Sequence, residues 1–284
     1  MSEKVLLLQG DALKQLRTIP PESVDTCITS PPYYNLRDYD TAGQIGNEAS
    51  VEEYISKLVE VFREVRRALR KDGTLWVNMG DSYAGSGKGR MADGTHYDKK
   101  PSKSGSYGGT RNGHLKKTVA DGCKPKDLIG VPWMLAFALR ADGWYLRQDI
   151  IWNKINCMPE SVRDRCTKSH EYIFLLSKSA HYHFDAQAIS EPAISAGDSA
   201  YRNKRDVWNV CTNAFRGAHF AVFPEKLIEP CILAGCPVGG TVLDPFAGSG
   251  TTGVVAKKLQ RNFVGVEINP DYVKMALARM EEVL

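Results

Sequence analysis

Residues 240–267 leave this chain few choices of fold. Gly240-Thr241-Val242-Leu243-Asp244 reads as a short buried strand closed by an acid. Pro245-Phe246-Ala247 follows, and Gly248-Ser249-Gly250-Thr251-Thr252-Gly253 opens a helix. A second strand, Asn262–Val266, ends in Glu267, and Asn269-Pro270 caps and starts the last helix. Strand, glycine loop, helix, strand, acid is a βαβ pattern. It demands parallel pairing in a sheet covered by helices. The glycines let a ligand approach the backbone closely, and an acid at the second strand end can accept both hydroxyls of a ribose.

The N-terminal residues repeat the logic. Lys4–Leu8 is a short apolar strand, Gln9-Gly10-Asp11 ends it, and Ala12, Leu13 and Leu16 start an amphipathic helix that Pro20-Pro21 stop. Val24–Thr29 is the next strand, and Ser30-Pro31-Pro32-Tyr33-Tyr34 follows. Neither proline has an N–H, and both fix φ, so strand and helix end here in a stiff elbow. The elbow aims the Ser30 hydroxyl, the Pro31 carbonyl and two aromatic rings one way, which suits a flat polar ring such as a base taken out of a duplex. A packed proline-rich loop satisfies the same local pattern. Asp11 and Ser30 both lie just past carboxyl ends of strands, the ligand-binding edge of a parallel sheet.

Between the two patterns the chain keeps alternating helix and strand. Ser50 and Glu53 have capping-box spacing. Tyr54, Ile55, Leu58, Phe62, Val65 and Leu69 form a core stripe, with Gly73 as the expected helix stop. Thr74–Met79, Tyr145–Trp152 and Glu171–Ser177 read as strands, and Pro132 and Pro224 begin helices. The 284 residues suit one large α/β domain or two small ones. With no internal repeat, a single domain over 1–284 is expected, with 82–126 and 153–218 inserted. Residues 82–126 carry ten Lys or Arg against three acids, +7, while the rest of the chain carries −3. Such local excess suits a polyanion or a solvated loop. The seven scattered cysteines include no CxxC and read as reduced thiols, and His181 and His183, flanking a Tyr, would share a strand face, where a metal site is the disfavoured alternative. No apolar run approaches the ~20 residues of a membrane span, and Val5–Leu8 is too short for a signal peptide. A cytoplasmic location, with no membrane and no metal, is expected.

Two cofactors compete for the glycine loop. Gly248, Gly250 and Gly253 satisfy GxGxxG, and Glu267 stands near the distance a nicotinamide dinucleotide needs. However, Asp244 and Phe246 stand where a pyrophosphate wants neither an acid nor an aromatic. S-Adenosylmethionine has no phosphate. Its ammonium can meet Asp244 or a carbonyl, and its adenine can pack on Phe246 or Ile268.

Ser30-Pro31-Pro32-Tyr33 and Asp244–Thr252, in that order, resemble the catalytic and cofactor motifs of the permuted β group of DNA amino-methyltransferases, including solitary bacterial enzymes. The resemblance covers nearly the whole chain and implies a Rossmann-like, mostly parallel sheet with helices on both faces and permuted motif order. It implies methyl transfer from S-adenosylmethionine to an exocyclic amine of a flipped base in double-stranded DNA. Ser30, Pro31, Pro32 and Tyr33 are then the catalytic elbow. Asp11, Phe223, Pro224, Asp244, Pro245, Phe246, Gly248, Gly250, Thr251, Thr252, Glu267 and Ile268 are the cofactor set. The resemblance leans to adenine-N6, with cytosine-N4 close behind because a leading Ser is commoner there. It also implies a homodimer. Arg37, Lys88, Arg90, Arg111, Lys116, Lys117, Lys154, Arg163, Arg165, Arg202, Lys204 and Arg205 are the candidate DNA contacts. A nicotinamide-dependent oxidoreductase and a non-catalytic DNA-binding protein are the competing classes.

Overall fold

A computed structural model describes residues 4–34, 43–85, 122–193, 201–212 and 223–283. In chain order the elements are β1 (Val5–Gln9), α1 (Ala12–Leu16), β2 (Val24–Thr29), α2 (Val51–Ala68), β3 (Leu69–Met79), α3 (Val131–Ala141), β4 (Tyr145–Asn153) and β5 (His170–Ser177). There follow β6 (Glu191–Pro192), β7 (Tyr201–Arg202), β8 (Val207–Asn209), α4 (Glu225–Gly235), β9 (Thr241–Asp244), α5 (Thr251–Lys258), β10 (Asn262–Glu267) and α6 (Pro270–Glu281).

The two βαβ patterns share one sheet, in the order β1-β10-β9-β2-β3-β5-β4-β8. The run from β1 to β3 is parallel, β5 is antiparallel to both of its neighbours, and β8 adds parallel to β4. From β9 the chain crosses through α5 to one side, and from β2 it crosses through α2 to the other. Right-handed crossovers in opposite directions put the two helices on opposite faces. Accordingly α1, α2 and α3 cover one face of the sheet, and α4, α5 and α6 the other. Successive residues of the central strands alternate between the two cores: Cys27 and Leu243 face one, Ile28 and Val242 the other. The boundary between β9 and β2 is the topological switch point, where a crevice opens at the carboxyl ends of the strands. The mostly parallel, two-faced Rossmann-like sheet expected from the sequence is therefore present.

Three local expectations change. Ser50 caps α2 by accepting from Glu53 N at 3.1 Å, but the helix ends at Ala68, and β3 starts directly at Leu69. Gly73 lies inside that strand. A Cβ there would meet the Asp25 carbonyl oxygen at 3.0 Å, so this glycine serves close approach of two strands rather than a helix stop. Residues 185–218, which show no periodicity, contribute β6, β7 and β8. His181 and His183 lie outside any strand, and no metal-binding group occurs among the described residues. All seven cysteines are free. Among the described residues no helix is long and apolar enough to cross a membrane.

Candidate active site

The two sequence motifs are joined by one buried carboxylate. Asp244, at the end of β9, accepts from Thr29 Oγ1 at 2.7 Å, from Thr252 Oγ1 at 2.6 Å and from Phe246 N at 3.0 Å. Thr29 ends β2, one residue before the elbow. The hydrogen bond therefore spans 215 residues of sequence and locks the glycine loop to Ser30. Burial pushes Asp244 up to about 6, although its three donors pull the other way.

Gly250 caps α5 with φ +79°, and a Cβ there would come within 2.7 Å of the Ala276 side chain. Only glycine meets both conditions without strain. Arg279 of α6 holds the loop from behind, donating to Ser249 O at 2.7 Å, Ser249 Oγ at 2.9 Å and Thr251 Oγ1 at 3.1 Å. Glu267 accepts from Gly248 N and Asn269 N, both at 2.8 Å, one on each oxygen. Each oxygen keeps a further lone pair, so this acid can still take two ribose hydroxyls. Burial raises its pKa. Asp11 caps α1 by accepting from Lys14 N at 2.9 Å.

On the other bank of the crevice, Tyr54 of α2 donates to Pro32 O at 2.8 Å and fixes the elbow. Tyr33 donates to Glu171 Oε2 at 2.7 Å, and its ring lies where a Cβ on Gly80 would stand 3.0 Å away. Burial and the Glu171 charge push the Tyr33 hydroxyl well above its ordinary value, so it remains a donor. The Ser30 hydroxyl and the Gly80 backbone oppose that rise. Glu171 also accepts from Asn78 Nδ2 at 3.2 Å and pairs with Lys154, whose ammonium lies 4.6 Å from the Trp152 ring centre. The antiparallel β5 explains this cluster. Running against its neighbours, it brings its first residues, His170 and Glu171, to the edge where β2, β3 and β4 end.

Both banks line one cavity of about 310 Å³. Ser30, Pro31, Pro32, Tyr33, Asp11, Phe223, Asp244, Pro245, Phe246, Gly248, Thr251, Glu267 and Ile268 all border it. Pro224, Gly250 and Thr252 stand behind that wall, as the N-cap of α4, the N-cap of α5 and a donor to Asp244. Asp244 has its oxygens engaged by the protein, so it acts as a bracket more readily than as a partner for a ligand ammonium.

The candidate DNA contacts scatter. Lys154 lines the cavity. Arg163 is exposed. Arg165 pairs with Glu160 at 2.5 Å and stacks 4.0 Å from the Tyr83 ring centre. Arg202 and Arg205 share Glu191, and Lys204 sits 5.2 Å from the Trp208 ring centre. Arg37, Lys88, Arg90, Arg111, Lys116 and Lys117 lie outside the described residues. The sequence reading missed Glu171, Asn78, Trp152 and Arg279. Glu171 had a signal, being the one acid that opens an otherwise apolar strand.

A buried carboxylate that bridges two sheet strands, an acid with lone pairs free toward the cavity and a rigid polar elbow give a site suited to methyl transfer from a nucleoside-type cofactor. A family model described as DNA methylase, covering the N6 and N4 methyltransferases, matches residues 24–278. The chain belongs to this family of DNA amino-methyltransferases and is an S-adenosylmethionine-dependent enzyme. It is 52% identical over 275 residues to the type II methyltransferase M.SmaI of Serratia marcescens, covering 96% of this chain and 90% of that protein. It is 51% identical over 276 residues to M.Cfr9I of Citrobacter freundii, covering 97% and 87%. Among solved structures, the PvuII DNA methyltransferase (cytosine-N4-specific) superposes with TM-score 0.70 at 19% identity, covering 98% of this chain and 87% of that one. The M1.HpyAVI–SAM complex gives TM-score 0.60 at 19% identity, covering 97% and 98%. The family assignment removes the oxidoreductase and the non-catalytic readings.

Proposed function

We propose that the enzyme methylates the exocyclic N4 of a cytosine flipped out of double-stranded DNA, as a type II modification enzyme of the permuted β group. S-Adenosylmethionine supplies an electrophilic methyl on a sulfonium. Glu267 holds its ribose and Phe246, Ile268 and Phe223 its apolar surfaces. Ser30 Oγ and the Pro31 carbonyl accept the two N–H bonds of the target amine. That draws the nitrogen lone pair out of conjugation and aims it at the methyl, which is positioning plus electrostatic stabilisation with no covalent enzyme intermediate. The Tyr33 ring stacks on the base.

The observation that carries cytosine over adenine is Lys154 in the cavity wall. Beside its amine, cytosine presents two acceptors, N3 and O2. On its Watson–Crick edge adenine presents one acceptor, N1, and then an apolar C–H, its N7 lying on the other side of the amine. An ammonium has three donors and no acceptor. After its bond to Glu171, Lys154 has donors left for cytosine O2, whereas adenine would leave a desolvated cation facing a C–H. The leading Ser30 agrees, and the PvuII enzyme carries that specificity on the same fold. Digestion of methylated DNA to nucleosides, followed by mass spectrometry, is expected to give N4-methylcytosine. N6-Methyladenine would return the reading to adenine, and sequencing of the methylated DNA would give the recognition site.

The same reading takes the whole chain as one catalytic domain working on bacterial DNA in the cytoplasm, as a homodimer. It assigns phosphate contacts to the basic insertion and to Arg163, Arg202, Lys204 and Arg205. The insertion springs from a narrow neck: Ala84 N donates to Asp127 O and Lys126 N to Ala84 O, both at 2.8 Å, and Tyr83 pairs with Leu128. Asp81 braces the neck by accepting from Ser82 N at 2.9 Å and from Gly130 N and Val131 N at 3.0 Å. Replacing 86–121 by a short Gly-Ser linker removes eight Lys or Arg and leaves the neck intact. Cofactor affinity is expected to stay within about twofold. DNA affinity should fall at least about tenfold, with a shallower salt dependence in fluorescence anisotropy. An unchanged salt slope would exclude the insertion from the interface.

A further inference from the structure

We propose that Glu171 is the final acceptor of the proton that the target amine must lose, delivered through the hydroxyls of Ser30 and Tyr33. The proposal rests on the amine lying against Ser30 and Pro31 and holds for either base.

Methyl transfer leaves a nitrogen with four bonds and a positive charge. A serine hydroxyl and a peptide carbonyl can accept hydrogen bonds from it, but neither can keep a proton near neutral pH. Among the described residues four carboxylates line the cavity: Asp11, Glu171, Asp244 and Glu267. Asp11 caps α1. Asp244 is enclosed by Thr29, Thr252 and Phe246 N. Glu267 is fixed on the ribose side by Gly248 N and Asn269 N. Glu171 is the one bonded to the elbow, through the 2.7 Å contact from Tyr33. Ser30 borders the same cavity three residues before Tyr33, and its hydroxyl opposes the rise of the Tyr33 pKa, so the relay takes Ser30 as the link between the amine site and Tyr33.

Donors and charged groups surround Glu171. Lys154 and Asn78 donate to it from β4 and β3. Lys168 and His170 face it from its own strand and the residues before it, and Asp81 lies 4.0 Å from Lys168. Desolvation is the main effect lowering the pKa of both Lys168 and His170.

The atoms balance without an added reagent. The amine lone pair forms the N–C bond as the C–S bond breaks, and that electron pair returns to sulfur, leaving a neutral thioether. The cationic nitrogen gives one proton to Ser30 Oγ, Ser30 passes its own to the Tyr33 oxygen, and Tyr33 passes its own to Glu171 Oε2. Both hydroxyls are restored, the methylated amine is neutral, and Glu171 is protonated until solvent reaches it. The protonated exocyclic nitrogen is a strong acid, so an ordinary carboxylate is base enough.

Glu171→Gln keeps the size and an oxygen for Tyr33 but cannot take the proton. In single-turnover methyl transfer from radiolabelled S-adenosylmethionine to duplex DNA, the rate is expected to fall about 100-fold, with the cofactor and DNA Kd values within about twofold of wild type. Glu171→Asp should recover part of the rate. Tyr33→Phe, which keeps the ring, should fall by a similar factor and add nothing to Glu171→Gln in the double variant. A Glu171→Gln rate within about threefold of wild type would overturn the relay. So would weakened binding in Glu171→Gln together with an unimpaired Tyr33→Phe. If Ser30→Ala kept full activity, the placement of the amine itself would fail instead.

Discussion

Replacing Ser30 and Tyr33 together by Ala is expected to abolish methyl transfer while S-adenosylmethionine still binds. The two side chains do different things, so their losses accumulate. Without Ser30 Oγ, one N–H of the target amine loses its acceptor as the nitrogen pyramidalises. Loss of one such transition-state hydrogen bond costs about 10²–10³ in kcat. Without the Tyr33 ring, the flipped base loses its stacking partner, about 1–3 kcal/mol. The ring is also held at Gly80 and tied to Glu171, so its removal unmoors that carboxylate. Together the double variant should lose about three to five orders of magnitude, the two effects adding except where the hydroxyls share the proton path. The cofactor bank is built from β9, β10, α5 and α6, so calorimetry should return a cofactor Kd within about threefold of wild type. Full activity in the double variant would remove the elbow from the reaction.

Asp244→Ala is expected to give the largest loss of stability of any single change at the site. Thr29, Thr252 and Asp244 are almost fully buried, and the substitution strands two hydroxyls and the Phe246 N–H at once. Each unpaired buried group costs about 1–3 kcal/mol, and some re-pairing is available, so a loss of about 3–5 kcal/mol is expected in urea unfolding. Asp244→Asn behaves differently. Its amide oxygen keeps Phe246 N and Thr29, its N–H₂ can donate to Thr252 Oγ1, and the buried charge is gone. The folded-state pKa of about 6 lies above the ordinary 3.8. Between those values the folded protein holds the proton more tightly than the unfolded chain, so Asp244 makes the protein less stable as pH rises through that window. The effect amounts to at most about 3 kcal/mol. Glu267, also raised by burial, acts in the same direction. The wild-type minus Asp244→Asn difference between pH 4 and pH 7 isolates the Asp244 share. A difference that stays flat would mean the carboxylate titrates normally.

Much of this was legible because the parallel half of the sheet carries its own punctuation. The acid after Leu243, the glycines after Ala247, the acid after Val266 and the two prolines after Ser30 each mark a strand end at the ligand edge. Hydrophobic periodicity located α2, but not its stop. Leu69 fits both a helical stripe and a buried strand, and only the strand pairing decides. The antiparallel half was not legible. An apolar run such as Ile173–Leu176 has no direction, so nothing in it says that Glu171 arrives at the active edge and not at the opposite one. β8 is three residues long and owes its existence to β4, with Val210 N donating to Asn153 O at 3.1 Å and Trp152 Nε1 to Val210 O at 2.8 Å. Lys154 was expected at the DNA, but a lysine after a strand looks the same whether it faces solvent or a cavity, so its place in the cavity wall was not legible. Arg279 gave no signal, since its partners lie 28 and 30 residues earlier.

The bond from Thr29 to Asp244 also has a consequence for how the protein is made. During synthesis the elbow leaves the ribosome long before its partner acid exists. With 215 residues between them, the delay is roughly ten to forty seconds at ordinary translation speeds. Over that interval β2 lacks its neighbour β9, and the crevice has one bank only. A nascent chain can therefore hold neither cofactor nor base, and methylation begins only after β9 docks. The two banks of the site therefore come together only after the Asp244 strand has been made.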